Sequence, residues 1–330
     1  MASFDPVVPG ATTPKTMADS SWLSFTVWDT EEDRMYTGML EKGHAKYEDA
    51  SCGRTESHEV IRDTMDMVPD EAIFPKLPDN GERFPVAPEL CAGPNLFIKR
   101  TSPPLHFASH NWNSNLGYGV TLPDLMLHEA RMFNLVSQHP QHPNIVRYHG
   151  CRVRRGFITG LVLDRVPFNT LLERSAVGGI KDIDKGPFMA ALESAVDHLH
   201  RVVGIAHNDI QPQNIMIGPA GTPVLIDLNW AGKIGHRNLL PGGIPLWQDE
   251  KRNPRVSQKR HDLYSLAKIR WWLDHPDELT HSMHVFPVRI RLETDPAEPD
   301  NPDMGSPTSR PRVPGSKLPD PDQDMLHLDT

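Results

Sequence analysis

The stretch from Gly204 to Ile217, GIAHNDIQPQNIMI, restricts the possible folds of this chain more than any other feature. Asp209, and Asn214 five positions later, interrupt a run that is otherwise apolar enough to be buried. Buried polar side chains are costly unless they are hydrogen-bonded. A second apolar run, PVLIDL, follows and places Asp227 near its end, 13 residues after Asn214. The pattern predicts two loops anchored in one core and carrying carboxylate and amide oxygens.

Oxygens at this spacing are suited to metal-assisted phosphoryl transfer. Mg²⁺ prefers hard oxygen ligands, and Asn214 and Asp227 can supply them. Asp209 can orient or deprotonate an attacking hydroxyl group. Taken alone, Asp209 and Asn214 are also compatible with a simple Asx-turn and a helix cap.

The overall composition excludes several classes of protein. The chain has 330 residues and a formal net charge of −9, so we expect neither nucleic acid nor a membrane surface as a partner. The three cysteines, Cys52, Cys91 and Cys151, form no CxxC pair, which favours a reducing compartment and argues against structural zinc. The N-terminus lacks the pattern of a signal peptide, and no run of about 18 apolar residues occurs. We therefore expect an intracellular protein, cytoplasmic or nuclear.

The spacing of apolar residues predicts a series of strands and helices. Three helices are predicted, from Asp124 to Ser137 with Pro123 in its first turn, from Pro187 onward, and from His261 to Leu273. Four strands are predicted, over Asn95–Arg100, Ile145–Cys151, Phe157–Val166 and Pro223–Leu228.

The two ends of the chain are weakly patterned. Residues 1–65 suggest only a short strand at Ser24–Trp28 and a short helix at Glu56–Met67. The sequence beyond Glu293 is dominated by Pro, Asp and Ser, which is typical of disorder.

Several motifs together resemble the eukaryotic protein kinase-like family. His207-Asn-Asp-Ile-Gln-Pro-Gln-Asn214 resembles the family's catalytic loop, His-Arg-Asp-Leu-Lys-Pro-x-Asn. Asp227-Leu-Asn229 resembles its Asp-Phe-Gly metal motif, and His142-Pro-Asn-Ile-Val-Arg-Tyr148 its entry to the fourth strand. Asp262 matches the buried Asp that opens a long helix, and Gln248-Asp-Glu250 stands at the Ala-Pro-Glu position. The resemblance covers roughly residues 94–273.

This resemblance implies ATP and Mg²⁺ as cofactors and gives five residues a role. Lys99 would bind the α and β phosphates, and Glu129 would hold Lys99. Asp209 would be the catalytic base, and Asn214 and Asp227 would hold the metal ion.

The resemblance also implies a binding segment for the adenine. Leu163-Asp164-Arg165-Val166 is similar to the family's hinge, so the backbone of Asp164 and Val166 would bind the base. Phe133 and Tyr148 would belong to the apolar spine that links the lobes. His207 is expected to pack in the core rather than act as a base.

Three of the departures from the family pattern affect residues that would meet a phosphate group. No Gly-x-Gly-x-x-Gly precedes Lys99, and Gly117-Tyr-Gly119 comes after it, in the wrong order. Asn208 replaces the Arg that answers a phosphate on the activation loop in many members. Gln211 replaces the Lys that contacts the transferring phosphate in Ser/Thr-type members, and it brings no charge.

The predicted fold is α+β and two-lobed, with a small β-rich N-lobe containing one helix and a short, mainly helical C-lobe. The predicted domain covers residues 66–290, with the N-lobe at 66–163 and the C-lobe at 164–290. Residues 1–65 are predicted to be a weakly structured extension, and residues 291–330 a disordered tail.

The expected function is ATP-dependent phosphoryl transfer to a Ser or Thr hydroxyl of a protein substrate. One alternative is a weak or inactive pseudokinase that serves as a binding module, which the missing glycines favour. The other is a small-molecule phosphotransferase of the aminoglycoside or choline kinase type, which Ile226-Asp-Leu-Asn-Trp-Ala-Gly232 resembles. The segment from His142 to Val146 favours the protein-kinase side. The oligomeric state stays open.

Overall fold

The computed structural model describes residues 22–29, 32–41, 65–88, 93–101, 119–167, 169–239, 245–249 and 253–275. The predictions for residues 56–64, for Glu250 and for the tail beyond Glu293 lie outside these ranges. Within them, no helix has both the length and the apolar character needed to cross a bilayer.

A three-stranded antiparallel sheet opens the described chain. Strand β1 (Trp22–Asp29) pairs with β2 (Arg34–Glu41), and β2 pairs with β3 (Met65–Met67). The short helix α1 (Asp70–Ile73) follows. This hairpin lies within the segment for which the sequence predicted little structure, and the helix predicted over Glu56–Met67 is wrong for its last three residues, which are β3.

The second sheet carries the first of the predicted site residues. Its strands β4 (Leu96–Lys99), β5 (Tyr148–Arg154) and β6 (Phe157–Asp164) are antiparallel in the order β4-β6-β5. Strand β6 is buried along nearly its whole length because it is the central strand. Lys99 is opposite Leu161 on β6, at the C-terminal end of β4.

The helix α2 (Leu122–Ser137) connects β4 to β5 and confirms the prediction from apolar spacing. It begins two residues early because Thr121 and Asp124 form a capping box, with Asp124 Oδ2 accepting the Thr121 N–H at 2.9 Å. Its buried face includes Ala130 and Phe133, neither of which is exposed. The phenyl ring of Phe133 stacks on Tyr148 at 5.6 Å between centroids, so α2 packs on the sheet.

The strand predicted over Ile145–Cys151 begins later than expected. Ile145 instead bridges to Leu225, and the N–H of Val146 donates to Leu225 O at 3.0 Å. These residues are therefore used for pairing with the second half of the chain and not with the sheet of β5.

The second half of the chain is mainly helical, with two short strand pairs. Its elements are α3 (Leu171–Ala176), α4 (Lys185–His198), β7 (Ile205–Ala206), β8 (Ile215–Ile217), β9 (Pro223–Leu225), β10 (Gly232–Lys233) and α5 (Lys259–Asp274). Strand β8 pairs with β9, and β7 pairs with β10. A π-helical turn, Leu199–Val203, extends α4 and ends at Gly204, whose φ of 83° suits a left-handed cap.

The core of this half confirms the predicted helix around His261–Leu273. Trp272 on α5 is fully buried and meets Trp247 edge-on, with 5.6 Å between ring centroids. Strand β9 ends three residues before the prediction, because Asp227 has a φ of 65°, which no extended strand accommodates. The described residues thus form an α+β fold with a β-rich first part and a mainly helical second part.

Candidate active site

Lys99 stands between two carboxylates that reach it from different elements. Its Nζ lies 2.5 Å from Glu129 Oε1 on α2 and 3.0 Å from Asp227 Oδ2, just after β9. The same Glu129 oxygen accepts the backbone N–H of Leu228 at 3.0 Å. One buried carboxylate therefore joins the lysine strand, helix α2 and the loop that follows β9.

The charges in this cluster shift one another's proton affinity. Burial would lower the pKa of Lys99, but the facing carboxylates outweigh it and hold this pKa above its ordinary value. Burial is the main cause that raises the pKa of Glu129 to about 7, although Lys99 opposes it. Burial also opposes ionisation of Asp227, yet the Lys99 charge and the Asn229 N–H bring its pKa below the ordinary value. The cluster is therefore most stably charged at Lys99 and Asp227.

The left-handed backbone at Asp227 directs its side chain towards Lys99. The N–H of Asn229 donates to Asp227 Oδ1 at 3.0 Å, which closes a local turn and leaves Oδ2 for the lysine. Leu228 is only 2% exposed, so it fills the apolar position between the two polar residues. Neither Asp227 nor Asn229 is buried to the same extent.

Asp209 is fixed by two amides from its own loop. Gln211 Nε2 and Asn214 Nδ2 each donate to Asp209 Oδ2 at 2.8 Å, and Asn214 Nδ2 also reaches Asp209 O at 2.9 Å. The other carboxylate oxygen, Oδ1, is buried and has no hydrogen-bond partner among the described residues. Burial is the main cause that raises the pKa of Asp209, and the negative charge of Asp227 raises it further. The two carboxylates are thus near enough to influence each other.

Gln211 is used differently from the expectation. Its amide N–H is committed to Asp209, and its carbonyl oxygen Oε1 is buried without a hydrogen-bond partner in the described part of the chain. The side chain as a whole is 4% exposed. At the position where the resemblance places a cationic lysine, this protein has a buried, unpaired acceptor.

His207 confirms the expectation of a structural residue. Its Nε2 lies 3.0 Å from Ile226 O and therefore carries the proton, which leaves Nδ1 to accept the N–H of Asp209 at 3.3 Å. Both ring nitrogens are used, and the residue is fully buried. His207 joins the loop to the strand that ends near Asp227.

Asp262, in the first turn of α5, holds the backbone of the same loop. It accepts the N–H groups of His207 at 2.8 Å and Asn208 at 2.7 Å, and His200 Nε2 lies 2.7 Å from it. Burial would raise the pKa of Asp262, but the contact with His200 and the hydrogen bonds bring it below the ordinary value. The carboxylate is fully buried and is ionised in this setting.

Asn208, which stands where the family's catalytic loop has an arginine, lies in a network of buried polar groups. Its φ of 62° is left-handed, a conformation that Asn tolerates well. Its Nδ2 donates to Trp230 O at 3.0 Å and to Ser257 Oγ at 2.9 Å, and its Oδ1 lies 3.1 Å from His261 Nδ1. The sequence did not indicate that Ser257 and His261 would contact Asn208, because single polar residues 49 and 53 positions away produce no recognisable spacing.

The segment expected to bind adenine has one residue with an unused backbone donor. The N–H of Asp164 donates to Arg147 O at 3.0 Å, and the N–H of Arg165 donates to Asn95 O at 2.8 Å. Within the described part of the chain, the N–H of Val166 has no hydrogen-bond partner. Of the two predicted residues, Val166 therefore offers the backbone donor, and Asp164 does not.

Strand β4 has one partner strand within the described ranges. Among the described strands, β4 pairs only with β6, and none lies along its other edge. Residues 102–118 lie outside the described ranges.

The side chains in the loops fit a magnesium ion and a nucleotide phosphate. Because Asn214 uses its amide nitrogen for Asp209, its oxygen Oδ1 is left for a cation. Asp227 Oδ2 is paired with Lys99 and its side chain is 26% exposed, so it can face both a cation and solvent. No group of three His, Cys, Asp or Glu side chains within the described ranges could hold a metal. Two protein oxygens are the usual number when phosphate oxygens and water complete the shell of Mg²⁺.

Comparison with known proteins was consistent with this geometry. The family described as "Protein kinase domain" matches residues 121–268, which run from the N-terminus of α2 into α5. Lys99 precedes the matched range.

Three curated relatives are similar over part of their length. The chain is 27% identical to the "Serine/threonine-protein kinase CHK1" of Saccharomyces cerevisiae over 121 residues, or 36% of this chain and 22% of the relative. It is 27% identical to "Aurora kinase A-B" of Xenopus laevis over 150 residues, or 43% and 35%. It is 26% identical to "Sensor for unfolded proteins in the ER ire1" of Schizosaccharomyces pombe over 196 residues, or 48% and 18%.

The matched segments thus span about a third or less of these relatives. The range matched by the family includes the loop that carries Asp209 and Asn214, the turn at Asp227 and the buried Asp262. This loop, this turn and the first part of α5 lie within residues 121–268, which match the protein kinase domain family, and the chain is similar to curated kinases over part of its length.

Proposed function

We propose that the chain transfers the terminal phosphoryl group of ATP to the hydroxyl of a protein Ser or Thr. The observation that carries this proposal is the state of the Asp209 carboxylate. Oδ2 is held by Gln211 and Asn214, and Oδ1 is buried without a partner among the described residues. A fixed, unpaired carboxylate oxygen is an acceptor suited to a hydroxyl proton.

Four other residues have the complementary tasks. Lys99, held by Glu129, presents its ammonium group to the α and β phosphates. Asn214 Oδ1 and Asp227 hold Mg²⁺, which neutralises charge on the phosphates when it is bound. The contact of Lys99 with Asp227 supports this assignment. It places the ammonium group proposed to bind phosphate 3.0 Å from a carboxylate oxygen of the proposed metal ligand.

The transfer itself requires one bond to form and one to break. The substrate hydroxyl oxygen bonds to the terminal phosphorus, and the bond from that phosphorus to the bridging oxygen breaks, so ADP leaves. The hydroxyl proton passes to Asp209 Oδ1. The raised pKa of Asp209, caused mainly by burial, favours holding that proton during the transfer.

The choice of a protein hydroxyl is supported by the relatives and by the sequence of one segment. One relative is named as a serine/threonine-protein kinase. The segment from His142 to Val146 resembles the protein-kinase side of the superfamily, and within it Asn144 Nδ2 donates to Pro223 O at 2.7 Å. That bond ties the segment to the strand that leads to Asp227.

A pseudokinase that binds a nucleotide without transfer is the second candidate. It is favoured by Gln211, whose unpaired Oε1 would face phosphate oxygens with a like partial charge. The absence of a Gly-x-Gly-x-x-Gly sequence before Lys99 also favours it. In that case Lys99 and Asp227 would serve binding alone.

Incubation of the purified chain with radiolabelled ATP and Mg²⁺ tests the proposal. Two acceptor mixtures, one of proteins and one of metabolites, separate the substrate classes. We expect label in protein, and loss of about 100-fold or more in Asp209→Asn. Asp197→Asn, on the exposed surface of α4, is the matched control and should keep its rate. Label in metabolites alone, or ATP binding without any transfer, would contradict the proposal.

A further inference from the structure

The turn between β1 and β2 buries an acidic side chain. Asp33 has a φ of 51° and is fully buried, although it lies outside the range matched by the kinase family. A buried carboxylate is stable only when its oxygens are paired. The partners of Asp33 come from the sheet that carries Lys99.

Both oxygens of Asp33 are satisfied by residues of that sheet. Oδ1 accepts from Arg100 Nε at 3.3 Å and from Arg100 Nη2 at 3.0 Å. Oδ2 accepts from Arg152 Nε and from Thr159 Oγ1, the latter at 3.2 Å. The hairpin tip is therefore tied at once to the end of β4, to β5 and to β6.

Arg155 forms a second attachment for the same turn. Its guanidinium donates to Glu32 O at 2.6 Å and to Asp33 O at 3.0 Å, and it also pairs with Asp70 at 2.6 Å. Together these contacts make the hairpin a docked part of the first half of the fold.

Arg100 links this attachment to the candidate active site. It directly follows Lys99, and neighbouring side chains of an extended segment point in opposite directions. Lys99 meets Glu129 and Asp227, whereas Arg100 meets Asp33. Strand β4 has only four residues, and β6 is its only partner among the described strands. The contact with Asp33 therefore adds a restraint at the end of β4, on the side opposite to the contacts of Lys99.

We propose that Asp33 is a positioning residue that fixes the end of β4 through Arg100 and so sets the position of Lys99. The effect on the strand stands on these contacts alone. Its consequence for nucleotide affinity rests on the function proposed above.

Hydrogen exchange in the full-length chain tests the effect on the strand. Asp33→Asn keeps the size of the side chain and the tolerance of positive φ, but removes the charge. We expect the amides of Leu96–Lys99 to exchange at least about tenfold faster, with those of α5 unchanged. Glu32→Gln removes the same charge from the exposed neighbour and should have no effect. If Asp33→Asn fails to fold, Thr159→Val removes one neutral donor to Oδ2 and should produce a smaller change at β4.

A double-mutant cycle on ATP affinity tests whether Asp33 acts on Lys99 through Arg100. Asp33→Asn and Arg100→Gln should each weaken binding several-fold, and together no more than either alone. Arg270→Gln, whose guanidinium pairs with Glu193 on the surface and does not contact Asp33, should be additive with Asp33→Asn in this assay. Equal exchange rates in β4 for wild type and Asp33→Asn would overturn the inference. Absence of ATP binding in the wild type, with faster exchange in β4 of the variant, would overturn the proposed function and leave the role of Asp33 supported.

Discussion

Asn208 donates a side-chain N–H to Ser257 Oγ at 2.9 Å, and the Ser257 hydroxyl donates onward to Gly232 O at 2.8 Å. Both residues are buried, and neither is charged. This chain of bonds ties the loop of Asp209 to the segment after Asp227 and to the residues before α5. It does so without the arginine that, in the resembled motif, pairs with a phosphate on the activation loop.

Replacement of Asn208 should therefore be costly for stability. Asn208→Gly keeps the left-handed backbone but leaves Ser257 and the Trp230 carbonyl without their donor, so we expect a loss of about 1–3 kcal/mol. Asn208→Ala adds the strain of a β-carbon at positive φ, for roughly 1 kcal/mol more. Urea denaturation monitored by tryptophan fluorescence measures both. Equal stability of the wild type and Asn208→Gly would contradict the role of this network.

Nucleotide affinity should depend on pH through Glu129, whose pKa is about 7. Protonation removes the charge that holds Lys99, so affinity should fall about tenfold as the pH is lowered from roughly 8 to 6. Glu129→Gln should bind weakly with little dependence on pH in this range. Isothermal titration at several pH values, with ATP protonation corrected, is the measurement. A wild-type affinity that rises on acidification would contradict the assignment.

Protonation of Glu129 should weaken nucleotide binding but stabilise the folded protein. The pKa of Glu129 in the folded protein exceeds its ordinary value of 4.5, so the folded state binds this proton more tightly. The contribution of Glu129 to the free energy of unfolding therefore decreases as pH rises from about 4.5 to 7. The difference in unfolding free energy between wild type and Glu129→Gln, followed across this range, isolates the effect.

Gln211→Lys should increase the rate of phosphoryl transfer. The change replaces an unpaired buried oxygen with a cation beside Asp209, where it can meet the phosphate and the carboxylate together. A gain of about tenfold in kcat is expected from one charged donor at a developing charge. Gln211→Met, similar in length but uncharged, is the control and should not gain. A slower Gln211→Lys enzyme would indicate that the glutamine is adapted to this site.

Asp227→Asn should remove the part of nucleotide binding that depends on Mg²⁺. In the wild type, ATP with Mg²⁺ should raise Tm more than ATP with a chelator, because binding to the folded state stabilises it. In the variant the two conditions should give the same shift. Asp184→Asn, an exposed acid without a side-chain cap bond before α4, is the matched control. A difference that persists in Asp227→Asn would place the metal elsewhere.

The sequence predicted those elements whose signals are local. Helix α2 follows from its apolar spacing and the Thr121 cap, and α5 from its apolar run. The five predicted residues of the site also come together, in two neighbouring clusters around Lys99 and Asp209. Their catalytic roles stay predictions until transfer is measured.

The elements that escaped prediction depend on distant contacts. Asp33 is 67 residues from Arg100 and 119 from Arg152, and nothing in a weakly patterned segment indicates such pairings. Strand β9 ends early because of the backbone at Asp227, and an apolar pattern carries no information on φ. The sequence also did not indicate that Gln211 donates to Asp209, since the choice of partner depends on side-chain geometry.

The backbone bonds at Leu225 have a mechanical consequence. Leu225, two residues before Asp227, accepts the N–H of Val146 and donates its own N–H to Asn144 O at 2.8 Å. Val146 in turn lies two residues before Tyr148, where β5 begins. Because Leu225 lies so near Asp227 in the chain, these bonds would carry a displacement of Asp227 to Asn144 and Val146, which precede β5. Under the proposed function, a metal ion bound at Asp227 would thus be linked to the sheet of β5 by a route that does not include the segment expected to bind adenine.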